Sequence, residues 1–166
     1  MNSKTVLDVL GGRADLVKGD VLSLFDKGAF EVLAHGCNCF KLMGAGVALQ
    51  IARCYPQAME VDAESPLLPD ERLGTCSYAM LGQCRMVANM YSQFEPGRCD
   101  PISFKEAFTL AAKELFGDWD GYDIGMPLIG CGIAGQTEET FLNCLKNAMD
   151  ETEFSGRLTI VELDAV

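Results

Sequence analysis

Residues 126–135 read Met126-Pro127-Leu128-Ile129-Gly130-Cys131-Gly132-Ile133-Ala134-Gly135, an apolar strand that passes directly into a glycine-rich turn. The same design occurs nearer the start. Val32-Leu33-Ala34-His35 runs into Gly36-Cys37-Asn38-Cys39, and Gly44-Ala45-Gly46 then opens a segment of helical period. Glycines let a backbone approach a ligand closely, and successive N–H groups in such a turn aim at one point. Two loops of this kind at the carboxyl ends of neighbouring strands make a clamp suited to a pyrophosphate. Either loop alone reads equally well as an ordinary strand-to-helix turn.

Outward from these two stretches the pattern alternates throughout. Residues 15–24 and 30–35 read as strands around a turn at Asp26-Lys27-Gly28. From Gly46, the positions Val47, Ile51 and Tyr55 recur at helical spacing until Pro56. Residues 76–81 and 85–91 are two further strands, with Gly82-Gln83 as a hairpin turn. Ser103-Phe104-Lys105-Glu106 has the form of a capping box, and Phe104, Phe108, Ala111 and Leu115 then share a helical face. Residues 123–129 form a strand, Phe141, Leu145 and Ala148 mark a second amphipathic helix, and residues 157–163 a final strand. Residues 62–73 are the most loop-like. Strands alternating with helices predict an α/β sandwich with strands buried on both sides, and the central hairpin makes the sheet mixed. No repeat, low-complexity tract or long linker interrupts the chain, so one domain over residues 1–166 is expected.

The composition bounds the function. The chain has 166 residues, 49% of them hydrophobic and 22% charged, which is a globular balance. A net charge of −11 and a pI of about 4.4 make duplex nucleic acid or an anionic membrane face a poor partner. A small anion held by backbone N–H groups stays compatible with that charge. The apolar stretch Val6 to Leu10 is interrupted by Asp8, too short for a signal peptide or a bilayer span. Eight scattered cysteines without a secretory signal predict reduced thiols and a cytoplasmic protein. Cys37-Asn38-Cys39 is not a zinc knuckle and His35 is the only histidine, so neither metal nor cofactor is expected. A compact acidic domain needs no partner to bury its core, which predicts a monomer.

Several side chains carry candidate chemistry. His35, at a strand end beside the first loop, reads either as a hydrogen-bonded core histidine or as a general acid–base. Asn38 suits a ribose hydroxyl or a left-handed turn. Asp20, after Gly19, suits an adenine amino group or a helix cap. Cys131 is placed at an expected helix N-terminus, where its pKa falls, or is a small filler. Phe40, Tyr91 and Phe94 offer base stacking or core closure, and Glu95 is a second acid. Gly130 to Gly135 also spells G-x-G-x-x-G, but near the C-terminus, and the acidic residues about 20 positions on, Asp150 and Glu151, belong to a helix end, which argues against a nicotinamide enzyme.

Together Val17-Lys18-Gly19-Asp20, Leu33-Ala34-His35-Gly36-Cys37-Asn38-Cys39, Met43-Gly44-Ala45-Gly46-Val47-Ala48 and Pro127 to Gly135 resemble the macrodomain family in order and spacing. The resemblance runs from about residue 15 to the C-terminus. It implies a three-layer α/β/α macrodomain sandwich that binds ADP-ribose derivatives. Asp20 and Val21 are implied at the adenine and Asn38 at the distal ribose. Gly44, Ala45, Gly46 and Val47, with Gly130, Cys131, Gly132, Ile133, Ala134 and Gly135, are implied around the diphosphate and distal ribose. Val87-Ala88-Asn89-Met90-Tyr91-Ser92-Gln93 is similar to the strand and loop bordering that ribose in bacterial and phage relatives.

The His-x-Cys-Asn-Cys stretch and Tyr55-Pro56 are most similar to the ADP-ribose-1″-phosphate phosphatase branch, which implies a phosphoric monoester hydrolase with His35 in catalysis. A sister branch that removes ADP-ribose from acidic side chains uses a lysine and an aspartate; Ala52 (or Arg53) and Ala134 stand at those positions here. The resemblance leaves two alternatives beside the phosphatase. One is a non-catalytic module that binds ADP-ribose or ADP-ribosylated proteins, the other a hydrolase acting on modified macromolecules.

Overall fold

The computed structural model describes residues 1–116 and 122–164. Among the described residues the strands are β1 (Ala14–Lys18), β2 (Val32–Asn38), β3 (Cys76–Gly82), β4 (Arg85–Gln93), β5 (Ile124–Pro127) and β6 (Leu158–Glu162). They form one sheet in the order β1-β6-β5-β2-β4-β3. Every neighbouring pair is parallel except β3 with β4, so the sheet is mixed as expected. The hairpin turns at Gln83 and Cys84, both left-handed with φ of +49° and +61°, one residue later than the sequence predicts.

Side chains alternate across β2, so its unbroken apolar run serves both faces. Val32 and Ala34 join the core beneath α1 (Ser3–Leu10), α6 (Pro101–Phe116) and α7 (Glu138–Thr152). Leu33 packs with α2 (Val21–Asp26), α3 (Gly46–Cys54) and α4 (Pro56–Glu64) on the other. This is the three-layer sandwich. β5 passes close to Phe30: a Cβ added at Gly125 would lie 2.2 Å from that ring.

Four local readings are corrected. Residues 15–24 are not one strand: β1 stops at Lys18, and Asp20 Oδ1 accepts from Ser23 N at 2.7 Å to start α2, which buries Val21, Leu22 and Phe25. The stretch after Ser3, which carries no element in the sequence reading, is a helix, with Asn2 capping Thr5 N at 2.8 Å and Val6 and Leu10 buried one turn apart. Residues 62–73 are largely helical, because α4 begins at Pro56 in its first turn and α5 (Pro69–Arg72) follows. The cap of α6 is Asp100, whose Oδ2 accepts from Ser103 N at 3.1 Å, and not Ser103. Likewise α7 starts only at Glu138 behind its cap Thr137, clear of the glycine loop.

Candidate functional site

A cleft of about 340 Å³ opens at the carboxyl ends of β1, β5 and β6. This is where parallel α/β sheets accept ligands, because the connections there are loops and helix starts with free N–H groups. Gly19, Asp20, Val21 and Leu22 line it after β1, and Leu163 after β6. Val47 and Gln50 of α3 form one wall, and Leu128, Cys131 and Gly132 after β5 form another.

The first loop follows β2. Asn38 folds it: its Nδ2 donates to Leu42 O at 2.7 Å, and its Oδ1 accepts from Phe40 N at 3.0 Å. Ala45, the residue before α3, offers no capping side chain, so the first N–H groups of that helix lack a protein partner among the described residues. The second loop follows β5, which pairs directly with β2. Gly130 has φ of +75°, and a Cβ there would lie 2.6 Å from Cys99 Cβ. Gln136 closes the loop, its N donating to Gly130 O at 2.7 Å and its Nε2 to Ile129 O at 3.0 Å. The N–H groups of Gly132, Ile133 and Ala134 have no backbone partner among the described residues, and Ile133 is 91% exposed at the tip. Two sets of unpaired N–H groups therefore flank one cleft.

Its carboxylates are largely compensated. The Met1 α-ammonium lies 3.0 Å from both Glu138 and Glu162, which line the wall, and Lys18 is 3.4 Å from Glu162. The hydrogen bond from that ammonium holds Glu162 below the usual carboxylate range. Asp20 has one oxygen on Ser23 and the other without a hydrogen-bond partner among the described residues.

Of the residues singled out in the sequence, Asp20, Val21, Val47, Cys131 and Gly132 line the cleft. Gly44, Ala45, Gly46, Gly130, Ile133, Ala134 and Gly135 belong to the loops beside it. Asn38, 7% exposed, does not line it. His35 does not either: the ring is 1% exposed, and its Nε2 is 2.7 Å from Asn89 Oδ1. Burial lowers its pKa to about 4, so the imidazole is neutral at pH 7. Asn89 donates in turn to Ala58 O at 3.0 Å and Ser77 Oγ at 3.1 Å.

Cys131 is corrected on one point. It lies ahead of Thr137 and away from the start of α7, and burial pushes its thiol up to about 12, so it is a thiol and not a thiolate. Tyr91 is buried with its hydroxyl donating to Asp62 at 2.9 Å, while Phe40, 44% exposed, meets Phe94 edge-on at 5.3 Å. None of these aromatics lines the cleft. Ala52 packs against the Cys37, Met43 and Tyr91 cluster, and Arg53 is exposed.

Gln50, Glu138, Glu162 and Leu163 were not singled out in the sequence, nor was Gln136. A polar residue just past a glycine turn was the available signal for Gln136; the others depend on strand order. Among the described residues no group of three or more His, Cys, Asp or Glu is placed to hold a metal ion, and no helix is long and apolar enough to cross a membrane.

No family model matches the sequence. An uncharacterized 17.5 kDa protein from the tk-vs intergenic region of Enterobacteria phage T4 is 39% identical over 154 residues, covering 89% of this chain and 94% of that protein. The macrodomain of Mycobacterium tuberculosis DarG superposes with a TM-score of 0.70 at 20% identity, covering 91% of this chain and 98% of that one. A Trypanosoma brucei macrodomain in complex with ADP-ribose superposes with a TM-score of 0.68 at 16% identity, over 94% of this chain and 66% of that one. The chain therefore belongs to the family of the phage T4 17.5 kDa protein, and its fold is the macrodomain fold.

Proposed function

We propose that the protein binds ADP-ribose derivatives in this cleft and hydrolyses ADP-ribose 1″-phosphate to ADP-ribose and phosphate. The observation that carries the reading is the pair of loops on adjacent strands β2 and β5, whose unpaired N–H groups flank one cleft. Such groups hold a diphosphate without a lysine, which suits a chain of net charge −11. In this reading Asp20 and Val21 take the adenine end, the free Asp20 oxygen accepting from the exocyclic amine. Residues 44–47 and 130–135 take the diphosphate. Asn38 takes the distal ribose with the second hydrogen of its Nδ2, the first staying on the Leu42 carbonyl.

Hydrolysis breaks the bond between phosphorus and the 1″ oxygen as water attacks phosphorus. The loop N–H groups stabilise the charge that gathers on the phosphoryl oxygens. His35 is the proposed acid–base group, and its burial sets the condition for that role: the ring has to reach the attacking water. The same burial favours a second reading, in which the cleft binds free ADP-ribose or ADP-ribosylated proteins without turnover.

Phosphorus NMR of ADP-ribose 1″-phosphate mixed with the protein separates the two. Growth of inorganic phosphate that is lost in His35→Ala supports the phosphatase. Broadened diphosphate resonances without turnover support the binding module, and unperturbed spectra overturn both.

A further inference from the structure

We infer that Lys41 is a positioning residue for the nucleotide: with the buried Arg72 it braces loop 38–46 against the end of α4, holding the loop in its binding geometry before ligand arrives. The inference rests on the ADP-ribose reading above. Lys41 adopts φ of +61°, a conformation that favours glycine. A lysine kept there has work for its side chain. Its Nζ donates to Ala63 O at 2.7 Å and Ser65 O at 3.0 Å, carbonyls at the last turn and cap of α4, where a cation also meets the negative end of the helix dipole.

Beneath the same loop, Arg72 is fully buried. Its Nη1 donates to Cys39 O at 3.0 Å and its Nη2 to Asp62 O at 3.2 Å and to the Asp62 carboxylate. The guanidinium also stacks 4.3 Å from the Tyr91 ring centre. Two cations thus fasten residues 39 and 41 to residues 62–65. A buried ion pair is a weak source of stability, so its value here lies in fixing geometry. Five residues beyond Lys41 the free N–H groups of α3 begin, and their aim depends on where this loop is fastened. Holding the loop in place beforehand spares the ligand the entropy of ordering it.

The test compares Lys41→Gly, Lys41→Asn, Lys41→Arg and the unaltered protein. Glycine and asparagine both suit the left-handed backbone and lose the tether, and asparagine does so without the chain freedom that glycine adds, so the two are expected to agree. In the ligand-free protein we expect amide exchange of residues 39–46 to rise about threefold or more in Lys41→Gly, with the rest of the molecule unchanged. We expect ADP-ribose affinity, by calorimetry, to fall about tenfold while the melting temperature of the free protein holds, and Lys41→Arg to restore both. Weaker binding with unaltered exchange would mean that Lys41 touches the ligand directly, and would overturn the brace; unaltered binding and exchange would do the same. If the unaltered protein does not bind ADP-ribose, the nucleotide reading falls, and the exchange data by themselves decide whether Lys41 holds the loop.

Discussion

His35 carries a pH dependence that can be isolated, because no other histidine titrates. Desolvation in the core lowers its pKa from 6.5 to about 4, against the opposing hydrogen bond that its Nε2 donates to Asn89 Oδ1. Between those values the unfolded chain binds a proton that the folded chain refuses, so stability rises with pH through the window and is lost as pH falls from about 6.5 to 4. At 1.36 kcal/mol per unit the loss is about 3 kcal/mol. Urea unfolding of the protein and of His35→Gln at pH 7 and pH 4.5 checks this: the variant is expected to lose markedly less over the interval. A ring titrating near its ordinary value by NMR would contradict the buried placement. Two glycines give a second contrast at this scale. Gly125→Ala drives a methyl into the Phe30 ring and is expected to cost about 3 kcal/mol, whereas Gly132→Ala, with nothing within 4 Å, is expected to leave unfolding unchanged. Equal melting temperatures for the two variants would contradict the close approach of β5 to Phe30.

Among the elements, α4 and α5 rest on a polar core in which Asp62 and Arg72 are both buried and Tyr91 bonds the carboxylate. Removing either charge strands the other, so Arg72→Met is expected to cost about 3–5 kcal/mol. Asp62→Asn combined with Arg72→Met is expected to cost less than the sum of the two single changes, a coupling read from denaturant titrations. This polar core is also why residues 62–73 read as a loop. Hydrophobic periodicity assumes that charges face water, and here two of them face inward. The helix α2 was missed for a related reason, since a short apolar run after Leu16 fits period 2 as well as period 3.6 until the Asp20 cap is seen. By contrast β2, β4 and β5 were legible, because strands covered on both faces leave runs such as Val32-Leu33-Ala34 and Arg85 to Tyr91. The two glycine loops were legible too. For His35 the core reading and the acid–base reading stood side by side in the sequence, as did the turn and ribose readings of Asn38, because the choice depends on partners distant in sequence or on a loop's own geometry.

At the scale of the whole molecule the strand order β1-β6-β5-β2-β4-β3 brings the two loops together, and no local pattern encodes it. The net charge of −11 then sets the sign of a salt effect. A dianionic ligand approaching this surface is repelled at long range, and the screening length falls from about 30 Å at 0.01 M salt to about 8 Å at 0.15 M. ADP-ribose binding is therefore expected to strengthen as salt rises over that interval, opposite to the trend for proteins that neutralise phosphates with basic side chains. Calorimetry at the two ionic strengths checks the direction; weaker binding at the higher salt would contradict it. The most direct test of the central claim is a titration of the isotope-labelled protein with ADP-ribose, followed amide by amide. The account predicts saturable shifts concentrated at Asp20, Val21, residues 44–47 and residues 130–135. Shifts confined to other surfaces, or none at millimolar ADP-ribose, would contradict the assignment of this cleft.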